Sequence, residues 1–390
     1  MGVYARLAST MAARDPRVPY PVIALLCGLA LALCLGSVQL RMPPNLVLGL
    51  FLPILLFHGA ASLDLAMLRQ EIGPVTLLVV LGVLATTGAV GAVVHATAGF
   101  SWAVALLCGA LVAPTDPAAV LAIVGPLGVD RRLTTIVNAE SLFNDGVALV
   151  LFGLLLWMIT SPSLTPGAAF ARLGGAVVGA LALGIAIGLA GRAVRRGLDN
   201  ALLDVALTVF LAYGGYLLAT QVAASGPLEI VITGLVMGTT PAPPRAERIW
   251  SGMAVLATVL LFLTMGLSLP AVVSGATGLL GLRVWMPLVA TLVAVLGVRA
   301  LLVRGVGLLP RHGDRPLPPG ASRILLWAGL RGAVSLAAAL SLPSTLPHRL
   351  LLVTVTCNVV LFTLIVQGTT MRLLLPPLPA EGHEDMAPLP

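Results

Sequence analysis

The sequence predicts an all-α polytopic membrane protein of about twelve transmembrane helices. Three observations carry this. Of the 390 residues, 58% are hydrophobic and 9% charged, and the mean hydropathy is +1.05. Apolar runs of about 20 residues, enough to cross a bilayer core of about 30 Å, follow one another between Pro, Gly and Arg punctuation. The 22 basic residues, all Arg, fall mostly on alternate loops. Soluble domains carry roughly 25% charged residues, so this composition excludes a water-soluble enzyme, a disordered chain and a nucleic-acid-binding domain. The pI near 10 records the orientation of basic loops rather than a nucleic-acid partner.

The spans read 21–40, 45–66, 74–98, 101–124, 133–160, 168–191, 201–222, 227–241, 250–270, 283–309, 322–342 and 350–375. Arg6, Arg14 and Arg17 precede the first of them. That stretch lacks a small-x-small cleavage site and further spans follow it, so it reads as an uncleaved helix rather than a signal peptide. Sixteen Arg lie at the N-terminus and on alternate loops, four (Arg41, Arg172, Arg283 and Arg349) on the opposite side, and Arg299 and Arg331 within spans. This positive-inside pattern predicts a cell (inner) membrane protein with both termini cytoplasmic. Residues 1–20 are expected as a cytoplasmic segment, 21–375 as the transmembrane domain and 376–390 as a short Pro-rich, acidic tail. Cys27, Cys34, Cys108 and Cys357 sit in apolar runs without metal-type spacing and read as small apolar residues.

Ionisable groups at mid-membrane cost at least about 2.5–3.5 kcal/mol each and point to function. At 1.5 Å per residue, Asp116 lies about 12 Å from the Arg-rich end of its span, Glu140 about 10 Å, Asp145 about 18 Å and Arg331 about 13 Å. Three spans thus bring opposite charges to one level. In Ala113-Pro114-Thr115-Asp116-Pro117 an acid stands between two prolines. Pro117 disfavours helix at Asp116 and both rings remove N–H donors, which leaves carbonyls beside a carboxylate that suit a hard cation. In Glu140-Ser141-Leu142-Phe143-Asn144-Asp145 the pairs Glu140/Asn144 and Ser141/Asp145 each share a helix face. Two carboxylates, an amide and a hydroxyl form an oxygen ligand set for Na⁺, Li⁺ or K⁺, with no soft ligand. Arg331, in Gly329-Leu330-Arg331-Gly332, does not deprotonate and is expected to pair a carboxylate bidentately, Glu140 foremost. That pairing leaves Asp116 and Asp145 as a net negative site. Burial and a neighbouring carboxylate disfavour an ionised acid, whereas a bound cation favours it. Such an acid holds either a proton or a metal ion, and a site open alternately to each side then exchanges one for the other.

Five stretches carry a resemblance to a known family: Phe51-Leu52-Pro53-Ile54-Leu55-Leu56-Phe57, Thr115-Asp116-Pro117, Glu140-Ser141-Leu142-Phe143-Asn144-Asp145, Gly329-Leu330-Arg331-Gly332-Ala333-Val334-Ser335 and Val366-Gln367-Gly368. Their order and content resemble the monovalent cation:proton antiporter-1 family, the NhaP/NHE-type sodium/proton exchangers. The resemblance implies a homodimer in which a core domain moves against a dimerisation domain, built on inverted repeats with broken, crossing helices. It implies that Asp145 is the shared cation and proton ligand, with Asp116, Ser141 and the Thr115 backbone completing the cation shell. Glu140, Asn144 and Arg331 become the supporting polar network. Asn144 before Asp145 implies the electroneutral class. No cofactor is implied; the transported ions are Na⁺ or Li⁺, with K⁺ possible, and H⁺. His58 departs from the family's usual Glu after Leu-Leu-Phe, Thr220 from a frequent Glu, and Glu229 from a small residue. These departures leave the core site untouched and bear on ion preference and pH response.

The remaining ionisable groups receive structural readings. Asp204 is expected at the interface, Arg299 to snorkel toward Arg304, and His58 to be a satisfied polar residue rather than a pH sensor. Glu229 is either solvated or lines an access funnel. Two rival functions remain: a potassium/proton efflux or channel-like protein of the related antiporter-2 group, and a membrane-embedded hydrolase using Ser141 or Ser335 with His58. Asn144-Asp145 and the lack of a nucleotide-binding domain speak against the first; no His near the acid cluster speaks against the second.

Overall fold

A computed structural model describes residues 20–35, 44–117, 120–121, 129–161, 165–198, 200–276, 282–308 and 320–374. Residues 1–19 of the expected N-terminal segment, the whole expected tail, and Arg6, Arg14, Arg17, Arg41, Arg311 and Arg315 lie outside the described residues. Among those residues the chain is helical, with no strand. The first helices are α1 (Tyr20–Leu35), α2 (Pro44–Ala61), the short α3 (Leu65–Gln70), α4 (Ile72–Ala98, with a π-turn at Leu77–Leu81) and α5 (Trp102–Val112). Then come α6 (Arg131–Thr160), α7 (Pro166–Arg195), α8 (Ala201–Gln221), α9 (Gly226–Gly238), α10 (Pro244–Ala276) and α11 (Leu282–Leu308). The last are α12 (Ala321–Trp327), α13 (Ala333–Leu340) and α14 (Arg349–Phe362), which continues through a π-turn at Thr363–Gln367 into Gly368–Leu374. Seven of the described helices are long and apolar enough to cross a membrane, and four shorter ones are apolar. Every expected span has its helix, and the chain is a multi-pass membrane protein.

Local chemistry sets the helix starts. Asp64, Asp130, Thr165, Asn200 and Ser225 each cap a helix by accepting a backbone N–H, which satisfies donors that have no partner within the helix. Lipid offers no hydrophobic drive for helix association, so close contact depends on small residues. Gly28 of α1 and Gly266 of α10 face each other so closely that a Cβ on Gly266 would lie 3.0 Å from the Gly28 Cα. Gly184 and Gly188 of α7 receive Ile232 and Val236 of α9 in the same way.

Two of the expected spans are not continuous. The span 101–124 ends its first helix at Val112, and residues 113–116 are non-helical. The span 322–342 splits into α12 and α13, with residues 329–332 non-helical between them. Each broken element is the middle of a sequential trio: α4–α5–α6, and α11–α12/α13–α14. Because successive spans alternate direction, the two trios run in opposite senses. This is the inverted, broken-helix architecture that the family resemblance implied, and it places two non-helical segments at mid-depth where they can meet.

Two acids away from the breaks also differ from expectation. Asp204 is not interfacial but fully buried, held bidentately by Arg195 (Nε–Oδ1 2.6 Å, Nη2–Oδ2 3.1 Å), whose Nη1 also donates to the Met237 and Thr240 carbonyls. Burial is tolerable because Arg195 saturates the carboxylate. Glu229 neither meets solvent nor lines a funnel. It is fully buried in the first turn of α9, where its Oε1 accepts from the Thr233 hydroxyl at 2.6 Å and its side chain fills the space above Gly215 of α8.

Candidate functional site

The two breaks cross. Pro114 and Pro117 stop α5, and the amide of Asp116 donates to the Leu330 carbonyl at 2.8 Å, so one interrupted backbone completes the other. In a continuous helix the Ala113 carbonyl would accept from the amide of residue 117, which is a proline and has none. The guanidinium of Arg331 takes that place: its Nη1 donates to the Ala113 carbonyl at 2.6 Å and to that of Pro114 at 3.2 Å. The Arg331 amide in turn donates to Thr363 Oγ1 at 3.0 Å, which ties the crossing to the π-turn of α14. At Gly332 the Cα approaches so near that a Cβ would stand 2.7 Å from the Asp116 Cγ. Gly332→Ala is therefore expected to push Asp116 aside, at a cost of about 1–3 kcal/mol typical of overpacking. A lower melting temperature in detergent, together with a loss of ion exchange, checks this.

Against the crossing lies the polar face of α6. Thr115 Oγ1 donates to Ser141 Oγ at 3.1 Å and accepts from Asn144 Nδ2 at 3.2 Å; the same amide reaches Glu140 Oε1 at 3.4 Å. Glu140, Ser141, Asn144, Thr115 and Arg331 are all buried. Asp145 is buried too, and its Oδ1 has no hydrogen-bond partner in the protein. That oxygen is costly unless something polar or charged comes to it. Asp145 lies on the wall of a cavity of about 370 Å³, together with Thr115, Asp116 and Gly332. Ser62 and Ser251, both exposed, line the same cavity near the Arg-bearing ends of their helices, so it opens on that side.

The expected partner of Arg331 is wrong in one respect. Glu140 is gripped instead by Arg299 of α11: Nη2 lies 3.0 Å from Oε2, Nη1 contacts Oε1, and Nε donates to the Leu325 carbonyl at 2.8 Å. Arg299 does not snorkel; it is buried 17 residues into α11. Arg331 is committed to the carbonyls of Ala113 and Pro114, just beyond α5, which also means that those carbonyls are not left for a cation. Glu140, Asn144 and Arg331 are brought together as neighbours, with Arg299 as the fourth member that sequence reasoning missed. Its signal was visible: an Arg in the middle of an apolar span. Tyr20, Asn138 and Thr258 also line the cavity and carried no sequence signal beyond being polar. Among the described residues no three His, Cys, Asp or Glu side chains converge as a metal-holding group; of the residues expected to bind the cation, Asp145, Asp116 and Thr115 line the cavity, and Ser141 accepts from the Thr115 hydroxyl behind it.

Residues 2–376 match the family model described as "Sodium/hydrogen exchanger, transmembrane". The chain belongs to the sodium/hydrogen exchanger family. Among its relatives is the Na⁺/H⁺ antiporter ApNhaP of Aphanothece halophytica, 32% identical over 91% of this chain and 69% of that protein. Another is the Na⁺/H⁺ antiporter NhaP of Pseudomonas aeruginosa, 36% identical over 82% of this chain and 78% of that protein. The fold is similar to that of the sodium proton antiporter MjNhaP1 from Methanocaldococcus jannaschii, with a TM-score of 0.72 at 19% identity over 95% of both chains. The exchanger family thus agrees with the sequence resemblance, and the rival antiporter-2 and hydrolase readings are not favoured. In exchanger terms the broken helices and the acid of α6 form the candidate ion site.

Proposed function

We propose that this exchanger trades one monovalent cation, Na⁺ or Li⁺, for one proton at Asp145, by alternating access across the cell membrane. The observation that carries the reading is the unpartnered Oδ1 of a buried aspartate on the wall of an open cavity. Asp116, Thr115 and Ser141 supply the remaining oxygens of the cation shell, and Glu140, Asn144, Arg299 and Arg331 hold those ligands in place.

Charge supports a one-for-one exchange. Glu140 and Arg299 neutralise each other as an ion pair. Arg331 offsets one of the two aspartates, which leaves the pocket one negative charge in excess. A single proton or a single Na⁺ balances it, and both together would leave a buried positive charge, so the two exclude each other. Transfer of one charge each way makes the cycle electroneutral. Direct competition also fixes the sign of the pH effect: acid fills Asp145 with protons, so the apparent KM for Na⁺ rises as pH falls, approaching tenfold per unit where the proton form dominates. With the Arg-rich side cytoplasmic and the cavity open on that side, the conformation described is the inward-facing one. A homodimer, with α7 and α8 on the outer flank of each protomer, completes the proposal.

Everted vesicles with an imposed pH gradient test it. Addition of Na⁺ or Li⁺ is expected to dissipate the gradient, and clamping the membrane potential with valinomycin and K⁺ to leave the rate unchanged. A rate that follows the potential would refute one-for-one exchange; a gradient indifferent to Na⁺, Li⁺ and K⁺ would refute cation exchange altogether.

A further inference from the structure

His58 lines the cavity whose wall also holds Asp145. The contact between Arg131 and Asp64 (3.2 Å) sets α6 and the end of α2 at one level on the Arg-rich side. From there His58 is about 9 Å deep and Asp145 about 21 Å, at 1.5 Å per residue. Both line the same cavity, with exposed Ser62 one turn outside His58. The imidazole lies parallel to the Trp250 ring, at 4° and 6.5 Å between centroids. Unlike the carboxylates that share this wall, an unperturbed histidine has its charge change close to neutral pH.

We propose that His58 sets the pH range in which a cation can reach Asp145: as the neutral imidazole it lets Na⁺ pass, and as the imidazolium it repels Na⁺ from the cavity. This rests on the antiport reading above and adds a second proton effect, separate from direct competition at Asp145.

The charges around His58 allow it to act this way. Glu247 of α10 acts on it electrostatically, and Tyr20, Asp116 and Asp145 share its cavity. Other charges on the helices packed against α2 are engaged elsewhere. Glu140 of α6 is held by Arg299, and Asp204 of α8 by Arg195. Glu229 of α9 is bonded to Thr233, Tyr213 of α8 donates to the Leu50 carbonyl, and Tyr216 of α8 lines a different cavity. Arg131 and Arg132 meet Asp64 and Glu71. Arg245 and Arg248 of α10 are exposed at its start, and α13 has no charged residue.

The experiment measures the apparent KM for Na⁺ in proteoliposomes at about pH 5 and about pH 8.5 for the parent, His58→Gln, His58→Asn and His58→Arg. Direct competition at Asp145 affects all four alike, so the ratio of variant to parent at each pH isolates His58. At about pH 5 the neutral variants are expected to have a KM about three- to tenfold below the parent, and at about pH 8.5 to match it. His58→Arg, always charged, is expected to show the reverse: a match at acid pH and a three- to tenfold rise at alkaline pH. Three variants that track the parent at both pH values would overturn the role of His58 while leaving exchange intact. A parent whose exchange survives Asp145→Asn would instead overturn the antiport reading itself.

Discussion

Asp145→Asn is expected to give a folded protein whose Na⁺- or Li⁺-driven proton exchange falls to the level of empty vesicles, a loss of at least about a hundredfold. The amide keeps the size of the carboxylate and the packing of α6, but it neither takes up a proton near neutral pH nor offers a charge to a cation. The Oδ1 of Asp145 gives up no hydrogen bond within the protein when it is replaced; Asn144 Oδ1 and Arg331 Nε are likewise unpartnered, but neither belongs to a group that exchanges a proton for a cation. Stability should therefore change little, and removal of an unpaired buried charge can raise it. Equal melting temperatures in detergent, with exchange abolished in proteoliposomes, would satisfy both halves of the prediction.

The second large effect concerns the Glu140–Arg299 pair, which links α6 to α11 and so joins the two inverted trios. Either Glu140→Ala or Arg299→Ala strands the other charge in a buried site, a change that typically costs about 3–5 kcal/mol. The double variant removes both charges together and is expected to cost far less than the sum of the single ones, since neighbours in one ion pair are not additive. Thermal unfolding of the three variants measures this. Independent effects that simply add would mean that the pair does not act as a unit. Exchange should survive in the double variant at reduced rate, because the pair positions α6 without carrying the ion.

Much of this was legible in the sequence because lipid makes the rules strict. Apolar length gave twelve spans, and each has a helix; the acids that composition could not excuse, Asp116, Glu140 and Asp145, gather at one level with Arg331. Pro114 and Pro117 announced the first break through their missing donors. The second break was less readable, since Gly329 and Gly332 suit close packing as well as an interruption, and only the crossing at Asp116 and Leu330 decides between them. The partner of Glu140 was misassigned for a related reason. Depth along a helix can be counted from sequence, but the direction in which a side chain faces depends on tertiary packing. Arg331 reached the level of Glu140 and was spent on the carbonyls orphaned by Pro117, while Arg299, expected to reach for water, turned inward. Glu229 and Asp204 were misplaced in the same manner: each lies near a helix end, where sequence expects water, yet each is enclosed by neighbouring helices.

In the proposed exchange one carboxylate holds either a proton or a cation. Calorimetric titration of the purified exchanger with Na⁺, repeated in buffers of different ionisation enthalpy, measures it directly, because the buffer dependence of the heat counts protons released on binding. At a pH where Asp145 is protonated, about one proton is expected to be released for each Na⁺ bound, with no Na⁺-linked release from Asp145→Asn. Sodium that binds at Asp145 at that pH without releasing a proton would contradict it.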